Sequence, residues 1–88
     1  MPQTRKLVLD VLKPHQPNAL DFSLSLAGIG EDYRVRLTVT EVDKKTESTI
    51  VTIEGRDISF DEIKTAIEQM GASVHSIDEV EVSGSASK

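Results

Sequence analysis

Three runs of this chain carry an unbroken apolar series on odd-numbered positions, alternating with an even-numbered series that mixes polar and apolar residues. They are Leu7, Leu9 and Val11; Val35, Leu37 and Val39; and Val51 with Ile53. A period of two is the mark of a strand with one face on a core. The first run, RKLVLDVL, is ended by Pro14, which has no amide hydrogen to donate and pushes its predecessor out of the helical region. Tyr33–Val42 and Ser48–Glu54 flank the polar stretch DKKTES and read as a hairpin. Val74–Val82 reads as a last strand of mixed parity: Val74, Val80 and Val82 oppose Ile77, a conflict that a β-bulge resolves.

Two further segments read as helices. Pro17–Ala27 carries conflicting signals, because LDFSLSL alternates strictly, as a strand would. Against that, Pro17 suits the first position of a helix and Gly28 suits its C-terminal cap. A helix here puts Leu20, Leu24 and Ala27 on one face and Phe22 and Leu26 elsewhere, so it has two apolar faces and needs a second partner surface. The later helix is clearer. Ser59 and Glu62 make a capping box, with Ile58 and Ile63 as its hydrophobic staple. Phe60, Ile63, Ile67 and Met70 form the buried stripe, and Gly71 ends it.

The order strand, helix, strand, strand, helix, strand predicts an α+β, ferredoxin-like βαββαβ fold. Right-handed crossovers put both helices on one face of a four-stranded antiparallel sheet of order 4132, with strand one beside strand four. A chain of 88 residues is expected to form one domain, over residues 1–83, with residues 84–88 as a flexible tail. Its core is small, and association of copies is a common source of added stability.

Several functions are disfavoured. The chain has no cysteine, hence no disulfide, thiolate metal site or cysteine nucleophile. No apolar stretch approaches the roughly 20 residues of a membrane span, and the N-terminus has no small-residue cleavage site. A cytoplasmic protein without membrane contact is the expectation. A formal charge of −5 disfavours non-specific nucleic-acid binding; it suits solubility or cation binding. RNA-recognition domains of this fold stack bases on sheet aromatics, yet the outward positions here are Val8, Asp10, Leu12, Ile50, Thr52 and Glu54. The loop KPHQPN lacks the arginine of acylphosphatases and the glycine of amino-acid-sensing domains. There is no Gly-x-Ser-x-Gly turn, and GIGEDY follows a helix and lacks the third glycine of a phosphate loop.

A candidate site emerges from parity. Asp10 points to the open face of the sheet with Val8, Leu12, Arg34, Arg36, Ile50 and Thr52, a face apolar enough to mark an interface. The short Gly71-Ala72 connection brings the start of strand four beside the end of strand one. Asp10 then lies near His75, Ser76 or Ile77, with His15 in the loop just beyond. Asp10, His15, His75, Asp78 and Glu79 are the chemistry-bearing residues that converge. Imidazoles with carboxylates suit a divalent transition metal, and carboxylates alone suit magnesium or calcium. The metal set is Asp10, His75, Asp78 and Glu79. The plainer readings are a solvated or interface role for Asp10, a helix-terminus hydrogen bond for His15, and an edge-strand position for His75.

RKLVLDVLKPHQP, VTEVDKKTESTIVTIEG and HSIDEV together resemble the archaeal family called domain of unknown function 211, over Arg5 to Val82. The resemblance implies a small ferredoxin-like protein that assembles into ring-like oligomers, and it implies no particular activity. It favours the helix at Pro17–Ala27; FSLSLAGIGEDYRV is the least family-like part. It singles out Asp10, Lys13, Pro14, His15, His75, Ser76, Asp78 and Glu79. The expectation is a non-enzymatic homo-oligomer binding a small ligand or divalent cation near the end of strand one and the start of strand four. Asp10, Lys13, His15, His75 and Ser76 are the ligand-binding candidates. A purely structural assembly or partner-binding protein is the alternative, and an enzyme with a site at a subunit boundary the third reading.

Overall fold

A computed structural model describes residues 1–84; apart from Gly84, the tail expected over 84–88 lies outside the described residues. The elements are β1 (Gln3–Pro14), α1 (Ala19–Ala27), β2 (Arg34–Val42), β3 (Thr46–Glu54), α2 (Phe60–Gln69) and β4 (Ser73–Ser83). The sheet runs β2-β3-β1-β4 with every neighbouring pair antiparallel, which is the ferredoxin-like order read from the sequence.

Parity governs the packing. Leu7, Leu9, Val11, Val51 and Ile53 are buried, and both helices cover this odd-numbered face with Phe22, Leu26, Ile63 and Ile67. Two polar side chains on the same face are also fully buried. Thr49 donates its hydroxyl to the Val11 carbonyl at 2.7 Å, and Lys13 continues the β1 series beyond Val11.

Helix α1 forms, but it starts at Ala19 rather than Pro17. Asn18 is its N-cap, its side-chain oxygen accepting from the Asp21 amide at 2.8 Å. A short polar side chain satisfies an otherwise orphaned amide there, which proline cannot do. Pro17 lies just before the cap and follows a cis peptide bond. Of the two apolar faces, the one carrying Phe22 and Leu26 is buried, while Leu20 and Leu24 are 67% and 61% exposed.

The capping box on α2 is half formed. The Ser59 hydroxyl accepts from the Glu62 amide at 3.3 Å, but the Ser59 amide donates to the Tyr33 hydroxyl at 2.8 Å rather than to Glu62. The Tyr33 ring occupies the space beside Gly30, where a Cβ would collide with it. Gly71, after α2, has φ +84°, a conformation that suits glycine.

The β2–β3 turn is tighter than DKKTES implies, because Thr46 and Glu47 already pair with Pro14 and Lys13 of β1. The Asp43 amide closes it on the Thr46 carbonyl at 2.8 Å. The parity conflict in β4 is resolved by register shifts against β1 rather than by a single bulge. Val74, Ile77 and Val80 sit opposite Val11, Leu9 and Leu7, leaving His75 and Asp78 as extra residues, and a third shift falls at Arg5.

Candidate functional site

Asp10 lies between Ile50 of β3 and Ser76 of β4. Opposed residues project from the same face, so Asp10 stands on the helix-free side as parity predicts. A shallow depression of about 600 Å³ opens there, lined by Asp10, Leu12, Thr40, Ser48, Ile50, Ser73 and His75. The bulge that removes His75 from pairing brings its imidazole to this depression. Asp10 and His75 therefore share one concavity, as the topology argument expected. Leu12 and Ile50 give it an apolar part, and Thr40, Ser48 and Ser73 supply hydroxyls. Among the described residues, neither the Asp10 carboxylate nor the His75 imidazole has a side-chain hydrogen bond or ion pair.

The other candidates are engaged elsewhere. Ser76 donates its hydroxyl to Asp78 at 2.7 Å, and Glu79 pairs with Lys6 at 3.2 Å. Among the described residues no group of three or more His, Cys, Asp or Glu is placed to hold a metal ion.

Lys13 and His15 belong to a second constellation. Lys13 faces the helix layer, opposite to Asp10. Its ammonium donates to Glu47 at 3.0 Å and to the Pro14 carbonyl at 2.8 Å, and lies 5.7 Å from the centre of the Phe22 ring. Glu47 presents its second oxygen to His15 Nδ1 at 2.9 Å, while His15 Nε2 meets the Lys44 carbonyl at 2.9 Å. A carbonyl and a carboxylate can only accept, so both ring nitrogens act as donors when the ring is an imidazolium. The Glu47 bond first, and the Lys44 carbonyl second, hold the His15 pKa above its ordinary value. The same bond to His15, followed by that to Lys13, lowers Glu47. His15 thus ties the loop after β1 to the hairpin turn, instead of capping a helix. The sequence reading overlooked Glu47, which sits inside the apparent turn DKKTES. Its parity was the available signal: it extends the series Thr49, Val51, Ile53 and falls opposite Lys13.

Beside the depression, the open face is laced with charge. Arg34, Glu54, Lys6 and Glu81 lie in one cross-strand row. Arg34 and Glu54 approach to 3.9 Å, and the shallow hollow there is lined also by Arg36 and Thr52. No helix among the described residues is long and apolar enough to cross a membrane.

With this geometry in place, the relationships of the sequence are informative. The DUF211 family, described as uncharacterized ArCR, matches residues 5–86. An uncharacterized protein of Methanocaldococcus jannaschii, MJ0319, is 50% identical over 76 residues, which is 86% of this chain and 78% of that protein. A family match over nearly all of the chain, joined to identity at this level, means that the chain belongs to DUF211, an uncharacterized archaeal family.

Proposed function

We propose that this protein is a non-enzymatic, homo-oligomeric module of the cytoplasm that binds a small polar ligand in the depression between Asp10 and His75. One observation carries the reading: two chemically active side chains face the same concavity, and among the described residues neither has a side-chain hydrogen bond or ion pair. Polar groups clustered on a concave, partly apolar surface are the usual makings of a ligand site. The carboxylate would accept from an amine or hydroxyl, and the serine and threonine hydroxyls would orient the remainder. The non-enzymatic part rests on the lack of any activated nucleophile there, since neither Asp10 nor His75 hydrogen-bonds a serine among the described residues. A divalent cation fits less well, because Asp78 and Glu79 are occupied and the described residues of one subunit do not assemble three ligands. Such an ion would need donors from a second copy.

Homo-oligomerisation is supported by apolar side chains left uncovered on α1 and on β4, namely Leu20, Leu24, Ile77, Val80 and Val82. The same exposure favours the second reading, a purely structural assembly protein. The discriminating experiment is a thermal-shift screen of polyamines, amino acids and nucleotides, with calorimetric titration of Ca²⁺, Mg²⁺, Mn²⁺, Ni²⁺ and Zn²⁺. A ligand that raises the melting temperature of the native protein, but not of Asp10→Asn or His75→Ala, supports the binding reading. If nothing binds and Asp10→Ala changes only the size of the assembly, the structural reading replaces it.

A further inference from the structure

The surroundings of the Asp10 depression restrict the charge of what it can hold. Among the described residues its lining contains one carboxylate, Asp10, and no lysine or arginine. The cations of the open face stand apart from it. Lys6 and Arg34 share a row with Glu54, and Arg36 lies opposite Thr52, whereas Asp10 lies opposite Ile50 with Thr38 beyond. Lys13 is buried on the helix-covered side and pairs with Glu47. A phosphate or carboxylate in the depression would meet a like charge with no cation to offset it. The open face also presents no aromatic ring. Phe22, Phe60 and Tyr33, the three aromatic residues of the chain, all lie in the core or pack against it. Nucleic-acid bases and quaternary ammonium groups are commonly held on aromatic faces, and none is offered here.

What the depression does offer is acceptors beside hydrocarbon. Ile50 lies directly across from Asp10, where opposed Cβ atoms are about 5 Å apart. Leu12, two residues along the same strand, is about 7 Å from Asp10 and is 41% exposed. Thr40 donates its hydroxyl hydrogen to the Ser48 carbonyl at 3.1 Å, which leaves its oxygen able to accept. Ser73 adds a second hydroxyl, and a neutral His75 ring has one accepting nitrogen.

We propose that the depression selects a primary aliphatic ammonium ion, its charge on Asp10 and its hydrocarbon arm across Ile50 and Leu12. This rests on the ligand-binding reading above and names the class of ligand. A primary ammonium carries three N–H donors and one positive charge. The Asp10 carboxylate takes the charge and one donor, a charge-assisted bond of the stronger kind. His75 and the hydroxyls of Thr40 and Ser73 are acceptors for the other two. A hard metal ion makes poorer use of the same surface: it requires several oxygen ligands and has no contact for Ile50 or Leu12.

The test is calorimetric titration at fixed ionic strength with n-propylamine, n-butylamine and n-pentylamine, beside n-butanol, butyrate and tetramethylammonium. The amines should bind, each added methylene tightening binding by about two- to fourfold. The alcohol, the acid and the quaternary ion should give no heat beyond dilution. Asp10→Asn keeps the shape of the side chain and should weaken amine binding by roughly tenfold or more. Ser73→Lys should weaken it as much with Asp10 still in place, because Ser73 lies opposite Leu12 and a lysine there brings the chain's own ammonium to the depression. Circular dichroism reports that each variant is folded, and the series on the native protein decides the class should either fail to fold. Amine binding unchanged in both folded variants overturns the inference, since the amine then sits elsewhere. If the amines give no heat while a neutral or anionic molecule binds through Asp10, the amine class is overturned and the ligand-binding reading stands. If nothing binds, here or in the wider screen, both fall.

Discussion

At the scale of single residues, the most constrained group is Lys13, a fully buried cation held by Glu47 and the Pro14 carbonyl. Truncation should cost more than loss of charge. Lys13→Ala leaves a void beneath Phe22 and is expected to lower unfolding free energy by about 2–4 kcal/mol. Lys13→Met keeps the volume, removes a desolvated ion and should stay within about 1 kcal/mol; urea denaturation separates the two. His15 and Glu47 make stability depend on pH. His15 has its pKa raised from 6.5, so its contribution is complete below 6.5 and is lost as pH rises through the folded value. Glu47 is lowered from 4.5, so its contribution is complete above 4.5 and is lost as pH falls through the folded value. These two groups should give a plateau between 4.5 and 6.5 with declines on either side. His15→Gln should remove the alkaline decline in thermal melts run from pH 5 to 9. The effect should be modest, because His15 is partly exposed and its ion pair is screened. Of this cluster, the sequence made Lys13 and His15 visible as unusual residues but misplaced their partners. Cross-strand pairing is a non-local fact, and Glu47 lay within what looked like a turn.

At the scale of elements, α1 shows how far pattern can be trusted. Its strict alternation favoured a strand, yet Phe22 and Leu26, four residues apart, are the pair it buries. The flanking Gly28 and the need for a crossover between parallel strands outweighed the alternation. The helix start was misjudged because Pro17 is an attractive opening residue, whereas Asn18 does the capping. Asn18→Ala should destabilise by about 1 kcal/mol. Leu26→Ala should cost about 2–4 kcal/mol, and Leu24→Glu should leave the unfolding free energy of the isolated subunit within about 0.5 kcal/mol. Equilibrium denaturation at low protein concentration measures all three. In β4 the parity conflict announced a bulge. The number of shifts could not be read, because it depends on how β1 aligns its own apolar positions with those of β4.

At the scale of the whole molecule, strand order was legible because the succession βαββαβ with right-handed crossovers leads to one familiar sheet, while the parity shared by β1, β2 and β3 marked which face the helices cover. The nearness of Asp10 to His75 followed from that order together with the short Gly71-Ala72 connection, which set the register of β4 against β1. What the sequence left open was that Asp78 already accepts from the Ser76 hydroxyl and that Glu79 is paired with Lys6, partners set along and across strands. Among the described residues the buried apolar core draws on eleven side chains, so a lone subunit has little stability in reserve. If copies associate, mass action must add to it. The melting temperature should therefore climb with protein concentration over a hundredfold range in scanning calorimetry.

The phenol of Tyr33 has a mechanical consequence. Lodged beside Gly30 and bonded to the Ser59 amide, it fastens the residue preceding β2 to the first turn of α2. A tug on that outer strand is thus felt at the base of a helix whose far end leads, through Gly71 and Ala72, into the opposite margin of the sheet. One hydrogen bond and one helix thus connect the two borders of the sheet outside the strand ladder.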